Sequence, residues 1–203
     1  MSSAEQPDSP GLTPPPEPFG SSDTDRSIFE RIQQGHRDAL SALLDRYWAS
    51  LVGYAAGITG DRDVAQDVAQ ETFVQIWVKR LDWESTGTPR AYLFRIARNL
   101  ALNARRDRAL RQSRHEGAAD ELLGLSPPTP ADDLEADSLL REIQAAIAEL
   151  PERRREAFLL ARFPGLTHRE IAETMGISLQ TVSNQMSAAL AQLRVALAHH
   201  LED

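Results

Sequence analysis

The chain has no cysteine in 203 residues. Disulfides and cysteine-ligated zinc are thereby excluded, and a reducing, cytoplasmic compartment is the expected location. No apolar run approaches the ~20 residues that cross a bilayer, so no membrane insertion is expected. Residues 1–24 are rich in Pro, Ser, Glu and Asp and hold no apolar core, which excludes a signal peptide and predicts a disordered tail. A glycine-rich phosphate loop and a nucleophile motif are also missing. Asp63, Asp67 and Glu71 are the one carboxylate set with a metal-like look, but their spacing lacks a histidine partner. The expectation is a protein that is not an enzyme and has neither cofactor nor metal.

The net charge of −8 argues at first against a nucleic-acid partner. Its distribution reverses that. Residues 1–25 carry five acids and no Lys or Arg, and residues 115–150 carry nine acids against one base. Residues 26–114 carry fifteen bases against ten acids. The acid therefore sits in a tail and a linker, and the block between them is basic.

That block contains the most informative stretch, residues 61–106. Gly60 breaks the chain, Asp61 is placed to cap, and Val64, Val68, Ile76 and Trp77 recur at helical steps, predicting a helix over 61–81 with one buried stripe. Asp63, Asp67 and Glu71 fall four apart on another face, with Gln70 and Val74 beside them. A polar loop, 82–88, then presents Trp83 as an exposed aromatic. Pro89 is a good first helical residue, and the helix it opens carries Arg90, Arg95, Arg98, Asn99, Arg105 and Arg106 on its polar side. Arginines neutralise phosphate and an aromatic at their entrance can stack an exposed base. Two plainer readings stand beside these: a solvated acidic face, and a Trp83 that packs the loop onto the bundle.

The flanking segments are helical as well. Residues 25–58 read as two helices, a short one with Ile28, Phe29 and Ile32 ended by Gly35, and a longer one with a wide stripe from Ala39 to Ala55. Residues 113–136 are a linker, broken by Gly117, Gly124 and the run Ser126-Pro127-Pro128-Thr129-Pro130. Its acids fit either a solvated spacer or a mimic of nucleic acid. Beyond it, Leu139, Leu140, Ile143, Ile147 and Leu150 give an amphipathic face, and Pro151 opens a helix with Phe158, Leu159 and Phe163. Thr167 and Glu170 form a capping box over a short helix with Ile171, Ala172 and Met175 inside. Gly176 permits a tight turn, Ser178 caps the next helix, and Val182, Met186, Ala189, Leu190, Leu193 and Leu197 mark its buried side. Gln180, Thr181, Ser183, Asn184, Gln185 and Ser187 lie in its polar first turns. A short helix, a glycine turn and a second helix with a polar start is the geometry that docks in a major groove; a structural hairpin has the same pattern.

Two groups of motifs resemble the extracytoplasmic-function (ECF) sigma factors of the sigma-70 family. Residues 63–73, D-V-A-Q-D-V-A-Q-E-T-F, with Trp77 and the R-A-Y-L-F-R-I-A-R-N-L-A-L-N run at 90–103, are similar to sigma region 2. The L-P at 150–151, G-L-T-x-x-E-I-A at 165–172 and G-I-S-x-x-T-V at 176–182 are similar to region 4. The resemblance implies an all-α chain of two small helical domains, region 2 at 25–112 and region 4 at 137–203, on a flexible linker. It implies a promoter-specificity subunit. Asp63, Asp67, Gln70, Glu71 and Val74 would bind the clamp coiled coil of core RNA polymerase, and region 4 the β flap. Trp83, Arg90, Arg95, Arg98, Asn99, Arg105 and Arg106 would melt the −10 element of promoter DNA. Arg153, Arg169, Gln180, Thr181, Ser183, Asn184, Gln185 and Ser187 would hold the −35 element. The T-V-S-N-Q-M-S-A-A-L run is similar to a subgroup controlled by a membrane-anchored anti-sigma factor, and it departs from many members in lacking basic residues on the recognition helix. The rival reading is a stand-alone helix-turn-helix regulator with an N-terminal receiver, which the absence of alternating strand patterns in 26–106 disfavours.

Overall fold

The computed structural model describes residues 22–83, 87–114 and 134–200. It is built from helices: α1 (Ser22–Gln33), α2 (Arg37–Thr59), α3 (Arg62–Val78), α4 (Pro89–Arg114), α5 (Leu134–Ala148), α6 (Glu152–Arg162), α7 (His168–Met175) and α8 (Leu179–Ala196), closed by a 3₁₀ turn at Ala198–His200. No strand occurs among the described residues. The expected tail lies outside them for residues 1–21, and the expected linker for 115–133. The tail boundary moves: α1 already begins at Ser22.

Local signals place the helix ends where the residue chemistry demands. Gly60, in the left-handed region at φ 68°, ends α2 by donating its N–H to Ala56, a conformation that costs a side-chain residue but not glycine. The next residue, Asp61, starts α3 by accepting from the N–H groups of Asp63 and Val64. Its other carboxylate oxygen takes a 3.1 Å hydrogen bond from Arg108, so one aspartate ties the start of α3 to α4. The helix then stops at Val78, three residues short of the expected end.

Leu43, Tyr47, Leu51 and Tyr54 on α2 pack against Ala65, Val68, Phe73 and Ile76 of α3 and Leu93, Phe94, Ala97 and Ala101 of α4, all buried. Phe29 and Ile32 cover one end from α1. Beneath α1 the Tyr47 hydroxyl donates to Asp25 at 2.6 Å and Arg46 pairs with the same carboxylate at 3.3 Å. Burial pushes the Asp25 carboxyl above its ordinary range.

The C-terminal helices form the second small helical domain, which shares a core with the first and adds a smaller one of its own. Leu159, Leu160, Leu166, Ile171, Met175 and Val182 belong to the same buried cluster as the α2–α4 residues. A smaller cluster of Ala146, Leu150, Ala189 and Leu193 joins α5 to α8. Three expected core positions are corrected: Leu190 is 49% exposed, and Leu139 and Leu140 are exposed too. The physical reason is that α5 meets α8 through Ala146 and Leu150 at its C-terminal end, leaving its earlier apolar residues without a surface to cover.

The capping box at α7 is complete: Thr167 accepts from the Glu170 N–H, and the Glu170 carboxylate accepts from the Thr167 N–H at 2.9 Å. Thr167→Ala removes one acceptor for an otherwise unpaired helix N–H and should lower unfolding free energy by about 1 kcal/mol. In a urea titration followed by circular dichroism the midpoint should fall with the slope unchanged.

Candidate nucleic-acid interface

The polar side of α4 is not one surface but two. At 100° per residue, Arg95, Asn99 and Arg106 fall within about 40° of each other, and Arg90, Arg98 and Arg105 cluster roughly a quarter turn away. The first group is exposed. Arg95 lies 5.3 Å from the Tyr92 ring centroid, and Arg106 bonds Asn103 at 3.2 Å. The second group faces the C-terminal helices. Arg90 is buried and donates to the carbonyls of Pro164 at 2.6 Å and Gly165 at 3.0 Å, with Glu170 at 3.8 Å. Arg98 pairs with Glu156, and Arg105 with Glu152. The expectation of six polar groups facing a ligand together is corrected: in this arrangement three of them hold the halves of the molecule together.

Trp83 is likewise corrected. It is 6% exposed, not a solvent-facing platform. Its ring meets Phe29 edge-on at 5.2 Å, and its carbonyl accepts from Gln33 at 3.1 Å. Both partners lie on α1, so the aromatic closes the end of the bundle. The rest of the loop, residues 84–86, lies outside the described residues.

The second polar surface is the start of α8. Ser178 caps the helix by accepting from the Thr181 N–H. Gln180, Asn184 and Ser187 are exposed, Thr181, Ser183 and Gln185 half-buried. The Gln180 amide donates to the Asn184 carbonyl oxygen at 3.0 Å, which pre-orients two amides across one turn. Arg169, on α7 beside this helix, is exposed, and Arg153 on α6 is exposed with Glu156 3.6 Å away. The chemistry offered is amide and hydroxyl hydrogen bonding with arginine at the margin, suited to base edges flanked by phosphates.

The third surface is the outside of α3. Asp63, Asp67, Gln70, Glu71 and Val74 are all exposed, while Ala65, Val68, Ala69, Thr72, Phe73 and Ile76 behind them are buried. Val78 and Leu81 extend it as exposed apolar residues. Beside it a groove of about 640 Å³ runs between α3 and α4, with Val64, Val68, Leu100 and Ala104 among its lining residues and Asp67 and Glu71 on its α3 side. The sequence reading missed this groove, although Leu100 and Ala104 are one helical turn apart and were a detectable apolar pair. It also missed Glu152, Glu156 and Glu170 as partners of the α4 arginines; no local pattern signals a pairing across 58 residues.

The family description "Sigma-70 region 2" matches residues 43–111, and "Sigma-70, region 4" matches residues 140–193. The ECF RNA polymerase sigma factor SigL of Mycobacterium tuberculosis is 34% identical over 161 residues, covering 78% of this chain and 88% of that protein. SigK of Mycobacterium ulcerans, also an ECF RNA polymerase sigma factor, is 28% identical over 190 residues, covering 92% and 98%. Among solved structures, CnrH in complex with the cytosolic domain of CnrY has a TM-score of 0.67 at 23% identity, covering 87% of this chain and 99% of that one. The sigma factor RpoE of Bartonella quintana, in complex with the anti-sigma factor NepR, has a TM-score of 0.65 at 24% identity, covering 78% and 96%.

Burial makes Trp83 a stability residue. Trp83→Ala should cost about 3–5 kcal/mol of unfolding free energy, the range for deleting a buried aromatic. Trp83→Phe should recover much of it by restoring the edge-on contact with Phe29. A loss below 1 kcal/mol in chemical denaturation would return Trp83 to the surface.

Proposed function

Because the chain belongs to the ECF group of the sigma-70 family, the promoter-specificity subunits of bacterial RNA polymerase, we propose that its three polar surfaces divide the work of initiation. The outside of α3 docks on core polymerase. The solvent face of α4 meets the −10 element. The start of α8 reads the −35 element. The domain limits that go with this are region 2 at 25–112 and region 4 at 137–203. The protein itself is non-catalytic and acts in the cytoplasm.

The observation that carries the reading is the α3 face, with five exposed residues over a buried back. Three carboxylates beside an apolar groove suit a helical partner that presents basic and apolar residues together, the chemistry expected of the polymerase clamp coiled coil. An anti-sigma factor, membrane-anchored in the subgroup the recognition helix resembles, is the proposed regulator. Val74, Val78 and Leu81 give it apolar area to cover. Region 4 is assigned to the β flap as well as to DNA.

On α4, Arg95, Asn99 and Arg106 are the residues proposed to contact the −10 element, since they face solvent. On α8 the amides of Gln180 and Asn184 favour adenine, whose N6 and N7 pair with an amide in bidentate fashion.

The test is transcription in a reconstituted system: the chain with core polymerase should initiate from its promoter, and core alone should not. Asp67→Lys with Glu71→Lys should weaken core binding by several kcal/mol, because charges that meet a complementary surface are reversed, while the circular dichroism spectrum stays unchanged. Binding equal to wild type would overturn the assignment of α3. For α8, Asn184→Ala should cost ~1–3 kcal/mol on the cognate −35 element and relax preference at one position. Arg169→Ala should weaken all sequences alike and reduce the salt slope by about one. Single-substituted duplexes measured at two salt concentrations separate the two outcomes.

A further inference from the structure

The start of α8 is poorer in free polar groups than its sequence suggests. Ser178 accepts from the Thr181 N–H, and the Ser178 and Thr181 hydroxyls bond each other at 2.8 Å. The Gln180 amide donates to Asn184 at 3.0 Å. Two hydroxyls and one edge of each amide are therefore engaged within the helix's own first turns. The outward face keeps Ser183, Ser187 and the remaining groups of the two amides. It also keeps one large apolar side chain. Leu179 is the first residue of α8 and is 54% exposed.

At 100° per residue, Leu179, Ser183, Ser187, Gln180 and Asn184 span an arc of about 140°. The buried Val182, Ala189 and Leu193 lie outside it. In a helix that enters a major groove, the N-terminal residues meet the base edges. Residues 178–193 contain no Lys or Arg, so the discrimination this helix supplies comes from short-range contacts at those edges. Leucine offers a base no hydrogen bond. What it matches is the C5 methyl of thymine, the one methyl group that a major groove presents.

We propose that Leu179 covers the methyl of a thymine in the −35 element, beside the adenine bound by the Gln180 and Asn184 amides. The proposal deepens the assignment of α8 to the −35 element and rests on it. Leucine and methyl leave water together, and burying one such group favours the complex about three- to four-fold. Cytosine at the same place has no methyl and carries an amino donor where thymine carries the O4 acceptor. Leu179 gives that donor no acceptor, so the contact selects thymine over cytosine.

The element is first obtained from a duplex library with a randomised upstream window, by recovering templates transcribed by the full chain with core polymerase and not by core alone. Its thymines are then replaced one at a time by deoxyuridine, which removes the C5 methyl and leaves every hydrogen-bonding group in place. Affinity is measured by competition at fixed salt. For wild-type holoenzyme, one replacement should weaken binding about three- to four-fold. Holoenzyme carrying Leu179→Ala should be indifferent to that same replacement. With cytosine at that position, changing it to 5-methylcytosine should strengthen binding by wild type and not by the variant. Because Leu179 is exposed, the variant should keep the wild-type helix content and urea midpoint.

An element without thymine, or equal responses of wild type and Leu179→Ala to every deoxyuridine, would overturn the proposal. So would a loss in Leu179→Ala that leaves its sensitivity to deoxyuridine intact, which would assign the leucine to a protein partner. If the chain recovers no template beyond those of core alone, the reading as a promoter-specificity subunit falls, and the proposal with it. Recovered templates with no deoxyuridine effect would overturn the proposal and leave that reading standing.

Discussion

The pairing of Arg98 with Glu156 is the contact on which the arrangement of the described residues depends. Glu156 sits at the centre of the joint between α2, α4 and α6, with its carboxylate out of water. A charge in that position is tolerable only while its partner is held against it, and removing one member of such a pair costs several kcal/mol. The rest of the joint serves that geometry. Glycines at positions 53 and 57 let α6 come close enough for the carboxylate to reach α4. Arg90, buried against the Pro164 and Gly165 carbonyls, fixes the turn that follows α6. Tyr54, whose hydroxyl is held protonated by burial and by Glu156, fills the space beneath. A shared apolar cluster running from Leu51 to Met175 then excludes the water that would screen the pair.

How much of this the amino-acid sequence discloses follows the range of the contacts. The caps at Asp61, Thr167 and Ser178 were readable because each cap's hydrogen bonds span three residues or fewer. The exposed outside of α3 was readable because helical period alone separates Asp63, Asp67 and Glu71 from Val68 and Ile76. Trp83 was not, since its burial depends on Phe29, a residue on another helix and 54 positions away. Arg90 was not, since its acceptors are backbone carbonyls more than 70 positions on, which no side-chain pattern advertises. Leu190 fails for the opposite reason. Its spacing fits the buried stripe of α8, but α5 packs over only part of that stripe. Periodicity reports which face of a helix is apolar. It does not report whether a neighbour arrives to cover it.

The two surfaces proposed for promoter contact differ in a way that the same electrostatics explains. An arginine face is attractive to any carboxylate the chain can bring near it, and Glu152, Glu156 and Glu170 are within reach of α4. The start of α8 carries amides and hydroxyls instead, which form weaker, directional bonds and draw no long-range partner. It can therefore stay at the surface in the arrangement that occupies α4. Gln180 and Asn184 satisfy one another across a turn rather than recruiting an acid. The buried Glu156 keeps Arg98 of α4 as its partner, with Arg153 of its own helix 3.6 Å away, and the uncharged start of α8 makes no demand on it.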